Sequence, residues 1–341
     1  MGLVHGVQER DNMIRRPVLS VIVPCYNSEK TVELCLASII TGNREFDMEV
    51  ICVDDGSTDK TGECLKRMSM INSEIVVVTH ERNRGLFQAR ITGVRHAKGK
   101  YLGFVDSDDY VQSNYFVNLV NKAERDHADI VTGRIINVST NQVCYMQTRC
   151  LDFPYCSNVG GLTPYQLYWR QAGLCYPWHV VWNKIYRRKL WQKGIRKLPI
   201  PREGFCMMED FVFSSVILAQ AERFSNVDNA CYYYVQHDTN LTSSGGDLSI
   251  WMKKISDMQY AFTCVEDFLR HNGHEQYIKN LIEWRELYSR IWTEKIQNAE
   301  LPGKDRRTLE DFLMKALAVD KLQLPTAEDN YYYEQADFLE K

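Results

Sequence analysis

Leu19 to Val23 is a short apolar run that ends at a proline, and after Ser28 apolar residues return at Val32, Cys35, Leu36, Ile39 and Ile40. The first run has the length of a buried strand and the second the spacing of one helical face, so the segment reads as strand, cap and amphipathic helix. The unit then recurs. Val50 to Val53 is apolar, Ser57 stands where a helix cap is expected, and Cys64, Leu65 and Met68 share a face. Ile75 to Val78 precedes a helix with Leu86, Ala89, Gly93, Val94 and Ala97 facing inward. Tyr101 to Val105 precedes one with Phe116, Leu119, Val120 and Ala123, and Ile130-Val131 opens a fifth strand. Alternation at this spacing predicts an α/β fold, with a mostly parallel sheet covered by helices on both faces. Such a sheet binds ligands beyond the carboxyl ends of its strands, so the residues after Val23, Val53, Val78 and Val105 are where chemistry is expected.

Beyond residue 134 the period is mixed, rich in aromatics and broken by turn residues such as Gly160-Gly161. Helical spacing resumes with Leu248, Met252, Ile255, Met258, Ala261 and Phe262. The chain therefore divides into a flexible leader over 1–16, ending in Arg15-Arg16-Pro17, a body over 17–245, and a helical C-terminal extension over 246–341.

Composition narrows the partners. The 341 residues carry 41 Lys+Arg against 44 Asp+Glu, a net charge of −3, with no chain-wide basic field of the kind that holds nucleic acid. The 45% apolar and 25% charged residues are those of an ordinary globular protein. No run approaches the ~20 apolar residues of a membrane-spanning helix, and the first residues lack a basic-then-apolar secretory signal. Eleven cysteines include no Cys-x-x-Cys pair, and Cys25, Cys35, Cys52 and Cys64 sit in apolar patterns as reduced thiols do. The expected location is the cytoplasm, or the inner face of the cell membrane if the chain associates peripherally. The sequons at Asn137 and Asn240 carry no weight in that compartment.

The four strand ends are not bland. After the first comes Pro24-Cys25-Tyr26-Asn27, where the proline ends the ladder and Tyr26 offers a flat ring to a nucleobase. After the second comes Asp54-Asp55-Gly56-Ser57-Thr58-Asp59, an adjacent carboxylate pair before a helix start. The third ends in Thr79-His80-Glu81-Arg82-Asn83-Arg84-Gly85, polar and partly basic. The fourth ends in Asp106-Ser107-Asp108-Asp109, three carboxylates in four residues. Carboxylates gathered in one place repel one another unless a cation sits among them. An all-oxygen set suits Mg²⁺ or Mn²⁺, which keep water and bind phosphate oxygens, so the cluster predicts a phosphate-bearing ligand.

These residues resemble glycosyltransferase family 2, the inverting group with the GT-A nucleotide-sugar fold, in its bacterial polysaccharide-biosynthesis form. The resemblance rests on Val21-Ile22-Val23-Pro24-Cys25-Tyr26-Asn27, Val53-Asp54-Asp55-Gly56-Ser57-Thr58-Asp59, Asn83-Arg84-Gly85 with Ala89-Arg90, and Asp106-Ser107-Asp108-Asp109, in the family's order. It covers residues 17–135, the nucleotide-sugar-binding half. It continues more weakly over 136–245, the acceptor half, through Trp182-Asn183-Lys184 and Glu209-Asp210 to Tyr232-Tyr233-Tyr234. It implies that Pro24, Tyr26 and Asn27 with Asp54 and Asp55 hold the nucleoside, and that Asn83, Gly85 and Arg90 border the nucleotide. Asp106 and Ser107 belong to an Asp-x-Asp element that meets ribose and metal, with the metal contact open between Asp108 and Asp109.

An inverting transfer needs a base for the acceptor hydroxyl, and the family places it in an acidic pair opening a helix, here Glu209-Asp210, with Asp210 the expected base. Lys184 is a candidate for the diphosphate or an acceptor phosphate. Trp178 and Trp182 are equally core residues or sugar-stacking platforms, and His237 is a weak candidate beside the leaving group. The resemblance implies a metal-dependent transfer, with Mn²⁺ or Mg²⁺, from a nucleotide-diphospho-sugar, UDP-linked first, to a hydroxyl of a polysaccharide or lipid-linked oligosaccharide. A non-catalytic scaffold of the same fold and a sugar-phosphate nucleotidylyltransferase are the alternatives. The latter expects a Gly-rich, basic loop after the first strand, where Pro24-Cys25-Tyr26-Asn27-Ser28 stands instead. The helical extension is open to packing on the body, to homodimer formation or to contact with a membrane surface, and the body is the expected partner.

Overall fold

Eight strands among the described residues form one mixed sheet in the order β3-β2-β1-β4-β7-β6-β8-β5. They are β1 (Leu19–Cys25), β2 (Met48–Asp54), β3 (Ile75–Thr79), β4 (Tyr101–Phe104), β5 (Tyr110–Val111), β6 (Ile130–Ser139), β7 (Lys184–Arg187) and β8 (Phe224–Gln236). The computed structural model describes residues 16–43, 45–139, 163–171, 179–198, 203–236 and 247–318. The leader over 1–15, most of 140–178, His237 and residues 319–341 lie outside them, so the expectations placed there concern undescribed residues.

β1 to β4 run parallel to one another, while β7 returns antiparallel to both β4 and β6. β1 is buried along its whole length, as a strand flanked on both edges and covered on both faces must be. Its register with β2 runs on to Pro24 opposite Val53 and Cys25 opposite Asp54, but its pairing with β4 stops at Ile22 opposite Phe104. Pro24 has no N–H to give to a central ladder, so β1 and β4 part there and leave a crevice at their carboxyl ends.

Helices α1 (Val32–Ile40), α2 (Thr61–Ile71), α3 (Leu86–His96) and α4 (Tyr115–Asp126) follow the apolar periodicity. The expected caps do not: α1 begins after Thr31 and α2 after Lys60, without side-chain caps, because Ser28 and Ser57 are engaged in the loops ahead of them. The two-residue β5 was not legible, so the strand expected as the fifth is the sixth.

α3 lies directly on β1. A Cβ on Gly93 would stand 2.3 Å from Ile22 Cγ2, so only glycine allows this approach. Gly93→Ala should therefore cost about 1–3 kcal/mol by overpacking, despite alanine's better helix propensity. Urea unfolding reads this directly, and an unchanged or higher midpoint would refute the close contact.

Further along come α5 (Pro164–Gln171), α6 (Arg188–Ile195) and α7 (Glu209–Ile217), then the extension, α8 (Leu248–His271), α9 (Ile278–Asn298) and α10 (Gly303–Ala316). Asp247 caps α8 by accepting from Ile250 N at 3.1 Å. The extension packs on the body through aromatics: Phe211 of α7 meets Phe262 at 5.3 Å and Trp284 at 5.7 Å. Trp169 of α5 stacks between Trp284 and Tyr277. Among the described residues no helix is long and apolar enough to cross a membrane.

Candidate active site

The loops after the strands are laced together by short polar side chains. Asn27, in the left-handed region at φ 50°, accepts from Thr58 N at 2.8 Å and donates its own N–H to Ser57 Oγ. The Ser28 carbonyl accepts from Val32 N at the start of α1, but its side chain does not cap that helix; its N–H donates to Thr61 Oγ1 at 2.7 Å and its hydroxyl meets that of Ser107 at 2.7 Å. The first, second and fourth strand ends are thereby fixed to one another. Tyr26, 47% exposed, stands at the rim of this crevice with Pro24 buried behind it.

Asp54 and Asp55 are both buried but do different things. Asp54 accepts from Ser57 N at 3.0 Å and shapes its own turn. Asp55 turns to the third loop: its oxygens take Arg84 N at 2.9 Å and Gly85 N at 2.8 Å, and His80 Nδ1 lies 2.6 Å away. His80 is held from the other side by Thr92 Oγ1 at 2.9 Å. Asp55, expected at the nucleoside, thus also holds the third loop to the end of β2. In that loop Asn83 is exposed and accepts from Gly85 N, while Gly85 at φ 93° passes so close to Gly204 that a Cβ would meet its backbone at 2.8 Å.

The acidic cluster after β4 also separates by role. Asp109 is buried; it accepts from Tyr232 Oη at 2.7 Å and Val235 N at 2.8 Å, and ties β8 to the β4 loop. Burial, with Asp108 and Asp106 nearby, pushes its carboxyl well above the usual range. Asp106 and Asp108 remain partly exposed. Asp109 faces inward onto β8, whereas Asp106 and Asp108 keep part of their surface open.

Arg90 organises the centre. Its side chain is 1% exposed, beneath the crevice. Nη2 donates to Asp106 at 2.8 Å, and Nη1 donates to Glu209 at 2.5 Å and Asp210 at 2.7 Å. One guanidinium thus joins the metal-type loop to the acidic pair at the start of α7. Burial raises the Glu209 carboxyl to about 8, Asp210 adding to the rise and Arg90 opposing it. Burial also raises Asp210, against the pull of Arg90, with Asp106 adding to the rise. Burial alone lowers Arg90, but Asp210, Asp106 and Glu209 outweigh it and hold the guanidinium protonated above its ordinary range. The pair differs in access: the Asp210 side chain is 20% exposed and that of Glu209 6%.

Two further candidates, Lys184 and Trp182, are buried. The Lys184 ammonium donates to the carbonyls of Val180 and Trp182, and its charge favours the ionised form of Asp210. Trp182 is core, stacked on Tyr232 and Tyr234 with ring centroids 4.7 and 5.3 Å away; Trp178 lies outside the described residues. The sequence reading missed Asn183. Fully buried at φ 62°, it donates to Thr132 Oγ1 and Gly133 O and accepts from Tyr115 Oη. Its signal was an asparagine between two positions judged functional, and positive φ is uncommon outside glycine.

The family model described as Glycosyl transferase family 2 matches residues 20–216. Among relatives, the uncharacterized glycosyltransferase EpsJ of Bacillus subtilis is 32% identical over 226 residues, 66% of this chain and 63% of that protein. Glycosyltransferase GlyA of Streptococcus pneumoniae is 32% identical over 217 residues, 63% of this chain and 30% of that protein. The chain thus spans less than two thirds of the length of either. Among solved structures, S. aureus TarS 1-349 in complex with UDP-GlcNAc superposes with a TM-score of 0.54 at 20% identity, over 88% of this chain and 90% of that one, a likeness of fold. With the family match spanning more than half of its length and the acidic, aromatic and arginine positions falling inside it, the chain belongs to glycosyltransferase family 2.

Proposed function

We propose that the chain is an inverting glycosyltransferase that moves a sugar from a nucleotide-diphospho-sugar, UDP-linked, to a hydroxyl of a polysaccharide or lipid-linked oligosaccharide in cell-surface glycan synthesis. The observation that carries this reading is the Arg90 fork, which sets Asp106 and Asp210 on one buried guanidinium beneath the β1/β4 crevice. Asp210 is the base, since it reaches solvent where Glu209 does not and its raised carboxyl suits proton removal from a hydroxyl. Tyr26 at the rim receives the base of the nucleotide, and the loop held by Asp55 borders it. The structure of TarS with UDP-GlcNAc supports the UDP donor, and a partial likeness to a poly(ribitol-phosphate) beta-glucosyltransferase of Bacillus spizizenii, 34% identical over 123 residues, supports a surface-glycan acceptor.

Mg²⁺ or Mn²⁺ fits the residues present. Asp106 and Asp108 are two partly exposed carboxylates at one loop, the number such ions take beside phosphate oxygens. Among the described residues no three His, Cys, Asp or Glu side chains form a cage that would hold the ion without the donor. When bound, the ion would neutralise the leaving diphosphate, so that no protein acid is required there.

The test is a panel of nucleotide sugars screened for Mn²⁺-stimulated release of nucleoside diphosphate. UDP-sugars are the expected substrates, and silence across the panel rejects the reading. Asp108→Ala should weaken Mn²⁺-dependent UDP binding at least tenfold in isothermal titration. Asp109→Ala should instead lower stability by about 1–3 kcal/mol, by stranding Tyr232 Oη and Val235 N. Unchanged Mn²⁺-dependent affinity in Asp108→Ala would remove that residue from the metal site.

A further inference from the structure

The base does not stand on the family's fold alone. The six residues before Glu209, 203–208, form a loop with two left-handed residues, Gly204 at φ 75° and Met208 at φ 64°, the second immediately preceding Glu209. On one side the loop leans on the third strand end, with Gly204 N donating to Arg84 O at 2.9 Å and Phe87 N donating to Phe205 O at 3.4 Å. On the other side it is held by the extension. Asp257, on α8 and 2% exposed, accepts from the consecutive amides of Cys206 and Met207, each at 3.3 Å. Lys253, one turn earlier, donates to Asp257 at 2.7 Å and to Gly204 O at 2.8 Å, closing a clamp around the loop. Phe205 packs on Tyr260 of the same helix at 5.4 Å. α8 lies beyond the 20–216 stretch that matches the family, so this clamp is contributed by the part of the chain with no assigned role.

We infer that Asp257, with Lys253, is a positioning residue for the base: the helical extension fixes the loop whose geometry aims Asp210 into the crevice. The physical reason is the left-handed Met208. A non-glycine residue there is sparsely populated and persists only when its surroundings over-determine it. The two amides that precede it are buried or part-buried donors that need an acceptor, and Asp257 is the acceptor. Without it the loop relaxes toward ordinary backbone and the start of α7 rotates, while Tyr26, Asp54 and Asp108 are untouched. The inference rests on the reading of Asp210 as the base only for its kinetic consequence.

The experiment has two arms on the intact chain. In hydrogen exchange, the amides of 203–208 in Asp257→Ala should exchange at least tenfold faster than in wild type, with those of 20–25 in β1 unchanged. In kinetics with the UDP-sugar found active, kcat should fall about 10–100-fold with donor KM and UDP affinity within twofold, a split that general destabilisation does not give. Asp257→Asn, which keeps an acceptor oxygen, should restore protection and most of kcat. Lys253→Met should fall between the two. Unchanged exchange in Asp257→Ala overturns the inference whether or not any sugar is transferred, so its failure is distinct from that of the proposed function. Faster exchange with unaltered kcat per folded molecule overturns it equally.

Discussion

Asp210→Asn should abolish sugar transfer, lowering kcat by about 10²–10⁴-fold, while UDP binding in the presence of Mn²⁺ stays within twofold of wild type. Asparagine has the size of aspartate and can still accept from Arg90 and from Val181 N, which approaches Asp210 Oδ1 at 3.4 Å, so the start of α7 should keep its shape. What it lacks is a lone pair basic enough to take the acceptor's proton. Glu209→Gln should cost less, because that side chain is closed off from the crevice. Turnover retained in Asp210→Asn would refute the assignment, and equal losses in both variants would mean that the pair acts as one unit.

The pH dependence follows from the same burial. The base must be ionised, and both acidic carboxyls are raised by burial, so the acid limb of the wild-type kcat profile should lie above the ordinary aspartate value of about 4. The two groups share Arg90, so the limb reports the pair and not either residue singly. Activity falls as the pH drops through this raised range. A limb at about 4 would contradict the buried setting.

How much of this was legible depends on what a residue touches. The βα alternation was readable because buried parallel strands must be apolar throughout, and the strand ends were readable because an α/β sheet binds ligands beyond the carboxyl ends of its strands. Residue type marked the place without the direction. Asp106, Asp108 and Asp109 look alike in sequence, and only the return of β8, bringing Tyr232 Oη and Val235 N, turns Asp109 inward. In sequence Lys184 stands out as a lysine embedded among aromatics, and Trp182 is open between core and sugar stacking. Their burial follows from β7 being an interior strand between β4 and β6, which local pattern does not reveal. Ser28 and Ser57 obeyed the sequence statistics of caps, yet they serve contacts 33 and 30 residues away. The clamp of Lys253 and Asp257 is an ordinary i, i+4 pair by sequence, and its meaning lies in a loop some fifty residues earlier.

Replacing Arg90 should destabilise the fold more than any other substitution at the site. Arg90→Met removes the cation that bonds Asp106, Glu209 and Asp210, the one such cation among the described residues, and leaves these carboxylates facing one another around a buried centre. Breaking a buried ionic cluster by deleting one partner costs about 3–5 kcal/mol, most of it the uncompensated charge that stays behind. Arg90→Lys should recover only part of this, since an ammonium cannot place two donors on Nη1 and Nη2 geometry at once. The sign with pH is fixed. Without the guanidinium the Glu209 and Asp210 carboxyls, already raised by burial, rise further above those of the unfolded chain, so the folded variant binds more protons than the unfolded one, and its stability falls as pH rises. The gap between wild type and Arg90→Met in urea midpoint should therefore be wide at pH 8 and narrow toward pH 5, as protons replace the missing cation. A gap that widened on acidification, or matching midpoints at pH 8, would show that Arg90 does not hold these charges together. Activity should vanish in Arg90→Met even where the fold survives, because the guanidinium that aims Asp210 is the same one that ties it to Asp106.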